Sequence, residues 1–117
     1  MEQDFVTYEQ AKELFDMGLR VPIAIRGYVR QYGEMILTDN VYDGHYALEA
    51  PLKSQTFRWF REKFDLFGLV HRLEHMEEYY YMWVIERVCH SSDWETYEEA
   101  ENACIDKLIE LAKESIL

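Results

Sequence analysis

The sequence is poor in cysteine, with only Cys89 and Cys104 among its 117 residues. Cys89 falls at the end of a predicted strand and Cys104 inside a predicted helix. We expect both to be small reduced thiols packed as apolar residues, with a disulfide or a redox role as the alternatives. A domain of this length buries roughly two-thirds of the surface that its unfolded chain exposes, so neither a disulfide nor a metal is needed to hold the fold.

Long apolar runs are also missing. A membrane-spanning helix needs about 18 or more consecutive apolar residues, and no uncharged stretch comes near that length. The N-terminal sequence Met1-Glu2-Gln3-Asp4-Phe5 is acidic and lacks the basic and apolar regions of a secretory signal. Hydrophobic residues make up 49% of the chain and charged residues 30%. This composition predicts a soluble, folded protein, which we expect to be cytoplasmic and to have no contact with a membrane.

The local signatures of catalysis and metal binding are absent as well. The two cysteines and four histidines include no close ligand pair such as Cys-x2-Cys, and we interpret His71 and His75 as ordinary surface or hairpin residues. No glycine-flanked serine elbow and no phosphate-binding glycine loop occurs. We therefore predict a protein that is not an enzyme, with no catalytic residue, no metal and no cofactor.

The net charge of -11 is unevenly distributed. Residues 1–52 hold four basic and nine acidic side chains, residues 53–72 hold five and two, and residues 73–117 hold three and twelve. A short basic band therefore lies between two acidic parts. The overall acidity makes nucleic acid an unlikely partner, because repulsion opposes the approach to a polyanion.

The stretch from Tyr79 to Val88 is the strongest structural signal. Its first seven residues carry no charge, and as a strand it would place apolar or aromatic side chains on both faces. We predict an inner strand, paired as a hairpin with residues 69–74 and covered by helices that start at Ser54 and Thr96. Residues 66–74 also fit a helical stripe, but Gly68 favours a break and so the strand.

Three helices are predicted from capping signals and apolar periodicity. The nearly identical pentapeptides Thr7–Ala11 and Thr96–Ala100 each have the spacing of a capping box, which we interpret as a shared helix start rather than a duplication. Gly18 offers a left-handed stop to the first helix. Ser54 is the predicted cap of the middle helix, which runs to about Phe64. Its apolar face consists of Phe57, Phe60 and Phe64.

The remaining pattern completes the fold prediction. Residues 21–29 and 35–38 form a predicted hairpin around a turn at 31–34, and residues 45–49 form a short third strand. We predict a single α+β domain over residues 1–117. It should contain a small, mainly antiparallel sheet of four to five strands packed with three helices, in the order α-β-β-(β)-α-β-β-α.

Several short motifs together carry a resemblance. Ala50-Pro51 precedes the Trp-Phe-Arg-Glu-Lys stretch at 59–63, three tyrosines follow at 79–81, and a Thr-Tyr-Glu pentapeptide begins each terminal helix. In this combination the chain resembles a group of small α+β proteins of gut-bacterial genomes, commonly in prophages and mobile elements, for which no activity is established. The resemblance implies a compact α+β domain with a hairpin after the helix that holds residues 59–63.

Two functional hypotheses follow. The first is a small non-enzymatic protein-interaction module encoded by a phage or mobile element, with an acidic surface, a protein partner and possible homo-oligomerisation. The alternative is a nucleic-acid accessory protein that binds through the basic and aromatic helix Lys53–Lys63, with Arg72 nearby. Trp59 is either a partly covered flank of this helix or an exposed contact residue. The candidate partner-binding residues are Arg58, Trp59, Arg61, Lys63, Tyr79, Tyr81 and Trp83.

Overall fold

The computed structural model describes residues 2–21, 26–31, 33–38, 48–75 and 78–116. After a short 3-10 helix at Glu2–Asp4, the elements are α1 (Tyr8–Asp16), β1 (Gly27–Gln31), β2 (Glu34–Thr38), β3 (Leu48–Glu49), α2 (Lys53–Phe64), β4 (Gly68–His75), β5 (Glu78–Ile85), β6 (Cys89–His90) and α3 (Tyr97–Ile116). The α+β class is confirmed. The chain forms two compact units, residues 1–53 and residues 54–117.

The strand arrangement differs from the predicted single sheet. Each unit holds its own antiparallel three-stranded sheet, in the order β2-β1-β3 in the first unit and β4-β5-β6 in the second. The sequence does not predict β6, because a strand of two residues leaves little periodicity, and it does not predict two sheets, because pairing between distant segments leaves no local pattern. Whether the two units form one domain stays a prediction.

In the first unit, α1 has defined signals at both ends. The Thr7 hydroxyl accepts from the Gln10 amide (3.2 Å), and the Gln10 side chain accepts from the Thr7 amide (3.0 Å), so the predicted capping box is confirmed. After the helix, Gly18 takes a φ of 107°. Its amide donates to the Phe15 carbonyl, and the next amide, that of Leu19, donates to the Leu14 carbonyl. These two bonds form a Schellman motif, which explains why α1 ends at the predicted glycine.

The sheet of the first unit pairs β1 with β2 in the register Gly27↔Thr38 to Gln31↔Glu34. This pairing confirms the predicted hairpin, and Gly33 supplies the positive φ of 81° in its turn. On the other side, β1 pairs with β3. The predicted first strand began at residue 21 and the predicted third strand at residue 45; residues 22–25 and 39–47 lie outside the described residues.

In the second unit, β4 and β5 form the predicted hairpin. Its register runs without interruption from Gly68↔Ile85 to His75↔Glu78, which confirms the strand interpretation of residues 69–74. The predicted turn includes residues 76 and 77, which lie outside the described residues. β6 pairs with the opposite side of β5. The predicted inner position of the aromatic strand is thereby confirmed.

Helix α3 packs on β4 and β5. The Thr96 hydroxyl accepts from the Glu99 amide at 3.1 Å, so this helix begins where its capping signal predicts. β4 and α3 approach each other closely at Gly68. An added Cβ there would lie 3.0 Å from Cys104 Sγ and 3.0 Å from Leu108 Cδ1. Gly68 therefore serves close packing between strand and helix rather than only a break in the chain. The buried residues of α3 are Ala100, Cys104, Ile105, Leu108, Ile109 and Ala112.

Helix α2 begins at Lys53, so Ser54 lies inside its first turn and the prediction that Ser54 caps the helix is wrong; the helix ends at Phe64 as predicted. Of its apolar face, Phe60 is fully buried, while Phe57 and Phe64 are partly buried. Asp65 then adopts a left-handed φ of 56°, which stops the helix. Within the described residues, no helix combines the length and the apolar character that crossing a bilayer requires.

Candidate protein-interaction surface

The side chains of β5 alternate between two faces of the sheet, and the face toward α3 carries Tyr79, Tyr81, Trp83 and Ile85. Exposure changes along this row. Ile85 is fully buried and Trp83 is 8% exposed, whereas Tyr79 is 48% exposed. One end of the strand therefore belongs to the core, and the other end faces solvent.

The starting point of α3 explains this division. Its first residue, Tyr97, packs its ring edge-to-face against Tyr81, with 5.9 Å between the centroids. The backbone of Tyr81 also exchanges hydrogen bonds with that of Trp94, three residues before the helix. Because the helix runs away from this point over Trp83 and Ile85, it leaves Tyr79 uncovered. Trp83, one of the predicted partner-binding residues, is placed in the core.

Four side chains make up the exposed end, and we call them the tyrosine surface: Arg72, Tyr79, Tyr81 and Tyr97. The Arg72 guanidinium lies over the Tyr79 ring, with Cζ 4.6 Å from the centroid. Tyr81 is half-buried, and Tyr97 is 43% exposed. The cation–π contact and the edge-to-face contact each hold an exposed ring in one orientation, so little side-chain freedom remains to be lost on binding.

Carboxylates surround this surface. Glu74 lies opposite Tyr79 in the strand register and is exposed. At the other side, the pKa of Tyr97 is raised by burial, then by the charge of Glu101 and a hydrogen bond to it, and then by the charge of Glu98. The Tyr97 phenol therefore stays protonated and can donate a hydrogen bond. An aromatic surface with an acidic border suits a partner that presents lysine or arginine side chains.

The opposite face of the hairpin differs from the tyrosine surface. Tyr80 points there, and its hydroxyl donates to the Glu78 carboxylate. This hydrogen bond, followed by the negative charge of Glu78, raises the pKa of Tyr80. Tyr80 is half-buried, and so are its neighbours on this face, Leu73 and Met82. Tyr80 therefore provides a natural control for substitutions at Tyr79.

Trp59 was predicted either as a partly covered flank of α2 or as an exposed contact residue, and the structure shows the partly covered flank. Its ring packs edge-to-face against Phe60 (5.2 Å) and Phe64 (5.3 Å), and Lys63 Nζ lies 5.5 Å from its centroid. Trp59 is accordingly half-buried. Much of this ring is occupied by its own helix, which leaves less of it for a partner than Tyr79 offers.

The basic residues of the predicted nucleic-acid helix do not form one continuous surface. Lys53 is only 3% exposed, so it cannot reach a phosphate backbone. Arg58 binds Glu62 at 2.8 Å, and this hydrogen bond together with the charge of Glu62 raises the pKa of Arg58. Arg61 and Lys63 are exposed. Arg58 is thus paired with a carboxylate of its own helix.

Cys104 does not have the surroundings of a nucleophile. Both are free thiols, with Cys104 buried and Cys89 half-buried. Burial, together with the nearby Cys89 and Glu101, raises the pKa of Cys104 to about 12, so its thiol stays protonated at neutral pH. Among the described residues, no three side chains of the His, Cys, Asp or Glu type come together as metal ligands would.

A small hollow in the first unit lies beside α1, bordered by residues that include Leu14, Val21 and Glu49. This hollow encloses essentially no room even for a water molecule, whereas pockets that bind small molecules usually measure about 300–1,000 Å³, so it cannot serve as one.

Comparisons of the chain with protein-family models, with curated protein sequences and with solved structures gave no match. Arguments about function therefore rest on the geometry of the chain itself.

Two members of the tyrosine surface were not among the predicted partner-binding residues. The sequence places Arg72 in the basic band and Tyr97 at a helix start, and neither position predicts a contact with a partner. The signal for Tyr97 was nevertheless present, because a capping box at Thr96 fixes the first helical residue. What the sequence could not give was the position of that residue beside Tyr81, since this contact joins distant parts of the chain.

Proposed function

We propose that the protein is a small, non-enzymatic protein-interaction module that binds a protein partner through the tyrosine surface. The observation that carries the proposal is the exposure of Tyr79 (48%) and Tyr97 (43%), whose rings contact Arg72 and Tyr81. Tyrosine and arginine are enriched at the centres of protein interfaces. Tyrosine also supplies a large contact area at a low cost in conformational entropy.

The partner that fits this surface is basic. The chain carries a net charge of -11, and residues 73–117 contribute most of it. Such a charge accelerates the approach of a cationic protein and disfavours acidic competitors. The resemblance to proteins of prophages and mobile elements extends the proposal: the partner is a host or phage protein, met in the cytoplasm.

The test compares affinity capture by three forms of the protein from cells in which it naturally occurs. The first form is wild type, the second is Tyr79→Ala/Tyr97→Ala, and the third is the control Tyr80→Ala, which changes the same residue type on the opposite face. We expect a protein that wild type and Tyr80→Ala enrich equally and that the double variant loses. Equal enrichment by all three forms would contradict the tyrosine surface as the binding site.

A nucleic-acid accessory function remains the second candidate, because Arg61 and Lys63 are exposed on α2 on either side of the Glu62 carboxylate that holds Arg58. Binding to single- and double-stranded oligonucleotides at low and moderate salt tests it. Binding that weakens with salt and is lost in Arg61→Glu/Lys63→Glu would favour this function. Absence of salt-sensitive binding at both ionic strengths would remove it.

A further inference from the structure

The outer edge of β4 has no strand partner among the described residues. Phe67 and Glu86 continue the register of the hairpin, and the Glu86 amide donates to the Phe67 carbonyl at 3.0 Å. Hydrogen-bonded pairs alternate along an antiparallel ladder, so every second residue of β4 directs its amide and carbonyl to β5. Gly68, Val70, Arg72 and Glu74 direct theirs outward. Within the described part of the chain, no strand pairs with this outer edge.

Only one half of the edge is open. Gly68 is buried and Val70 half-buried, whereas Arg72 and Glu74 are exposed. A strand that docks on β4 must therefore centre on the later half of it. Edge strands of this length are normally protected by a bulge, a proline, charged side chains or a covering element. The uninterrupted register of β4 contains neither a bulge nor a proline, and its charged residues Arg72 and Glu74 are of opposite sign.

The open half is complementary to itself. If two copies of β4 pair antiparallel about a two-fold axis at Leu73, Arg72 of each copy lies directly opposite Glu74 of the other. Both are outward-directed residues, so each opposed pair can exchange two backbone hydrogen bonds as well as an ion pair. The half-buried Leu73 then meets Leu73 of the second copy at the close spacing of a non-hydrogen-bonded pair.

The neighbouring registers fit less well. If the two-fold axis is moved from Leu73 to Arg72, Arg72 lies opposite Arg72 of the second copy. Like charges at directly opposed positions are unfavourable. A further shift brings Gly68, which is buried, opposite Glu74. Charge and exposure therefore select the same register.

We propose that β4 is a homodimerisation edge, at which two copies of this chain join their β4 strands about Leu73 into one six-stranded sheet. The two-fold axis is perpendicular to the sheet, so both α3 helices lie on the same side of it. Both tyrosine surfaces then face the same way, and the dimer can engage a partner with two sites. The dimer does not depend on partner binding by the tyrosine surface. Tyr97→Ala changes that surface and leaves the residues of the β4 edge in place.

Sedimentation equilibrium over a wide concentration range tests the dimer. We expect the average mass of wild type to rise from 14.1 kDa toward twice that value as the concentration increases. Arg72→Glu alone and Glu74→Arg alone should each abolish the rise, because they place like charges opposite each other twice per dimer. The charge swap Arg72→Glu/Glu74→Arg should restore it. Lys12→Glu, the same charge change on exposed α1, should leave the rise unchanged.

Circular dichroism of each variant verifies that it is folded, which the exposure of both positions favours. A wild-type mass that stays at 14.1 kDa at every concentration would overturn the proposal. A dimer that persists in Arg72→Glu, or that the charge swap fails to restore, would overturn the register about Leu73. Neither result bears on partner capture, which is measured through Tyr79 and Tyr97.

Discussion

At the scale of single residues, Gly68 occupies a position where any side chain would crowd its neighbours. An added Cβ would lie 3.0 Å from both Cys104 Sγ and Leu108 Cδ1 and 3.1 Å from Phe57 Cε1. We expect Gly68→Ala to lower the free energy of unfolding by about 1–3 kcal/mol through overpacking, as measured by chemical denaturation. In the Cys104→Ala background the loss should be smaller, because one of the close atoms is then absent.

Gly33→Ala is the matched control for this prediction. Glycine is favoured at residue 33 because of its φ of 81° and not because of close packing. An added Cβ there would meet no atom within 4 Å. Its cost should therefore be the same with and without Cys104→Ala. Equal losses for Gly68→Ala in both backgrounds would refute the packing explanation.

Arg87 shows the opposite case, a side chain where glycine would suit better. Among the described residues, only Asp65 and Arg87 combine a side chain with a positive φ, and that of Arg87 is 65°. A left-handed backbone conformation costs a residue with a side chain about 1–2 kcal/mol, and glycine avoids this cost. Glycine also raises the conformational entropy of the unfolded chain, which offsets part of the gain in stability. We expect Arg87→Gly to raise the unfolding free energy by up to about 1 kcal/mol. Glu86→Gly, one residue earlier in the same turn, should lower it, and a stabilised Glu86→Gly would contradict this account.

At the scale of elements, the two helix starts share one solution. Both α1 and α3 begin at a tyrosine that follows a threonine, and the hydroxyls of Thr7 and Thr96 accept from the third amide of their helices at 3.2 and 3.1 Å. The predicted capping box is complete at α1, whereas α3 shows only its threonine half, the Thr96 hydroxyl accepting from the Glu99 amide. Of the two, α3 has the larger consequence, because its first residue decides which part of β5 is left open.

The caps give a prediction for each unit. Thr7→Ala and Thr96→Ala should each lower the unfolding free energy by about 1 kcal/mol, because an amide at the helix start loses its acceptor. Thr7→Ser and Thr96→Ser retain an acceptor and should cost only a fraction of that amount. Chemical denaturation of the four variants checks this, and equal losses for the serine and alanine variants would show that the hydroxyls are not the stabilising groups.

At the scale of the whole molecule, the sequence predicted what short-range patterns determine. The capping box of α1, the threonine cap of α3, the glycine stop after α1, both hairpins and the inner position of β5 all follow from local signals. The division into two sheets was not, because strand pairing between distant segments has no local signature. For the same reason Lys53 was assigned to a binding surface although it is buried, and Trp83 was grouped with Tyr79 although only one of them is exposed.

On the face of β5 toward α3, Trp83 belongs to the core, whereas Tyr79, four positions away, belongs to the proposed binding surface. This difference is the central claim. The most direct measurement is calorimetric titration of the captured partner with the purified variants. We predict that Tyr79→Ala/Tyr97→Ala weakens binding by at least about 2 kcal/mol, roughly 30-fold, while its thermal stability changes little. Tyr80→Ala should bind as wild type does. Wild-type affinity in the double variant would contradict the claim that this end of β5 is the interaction surface.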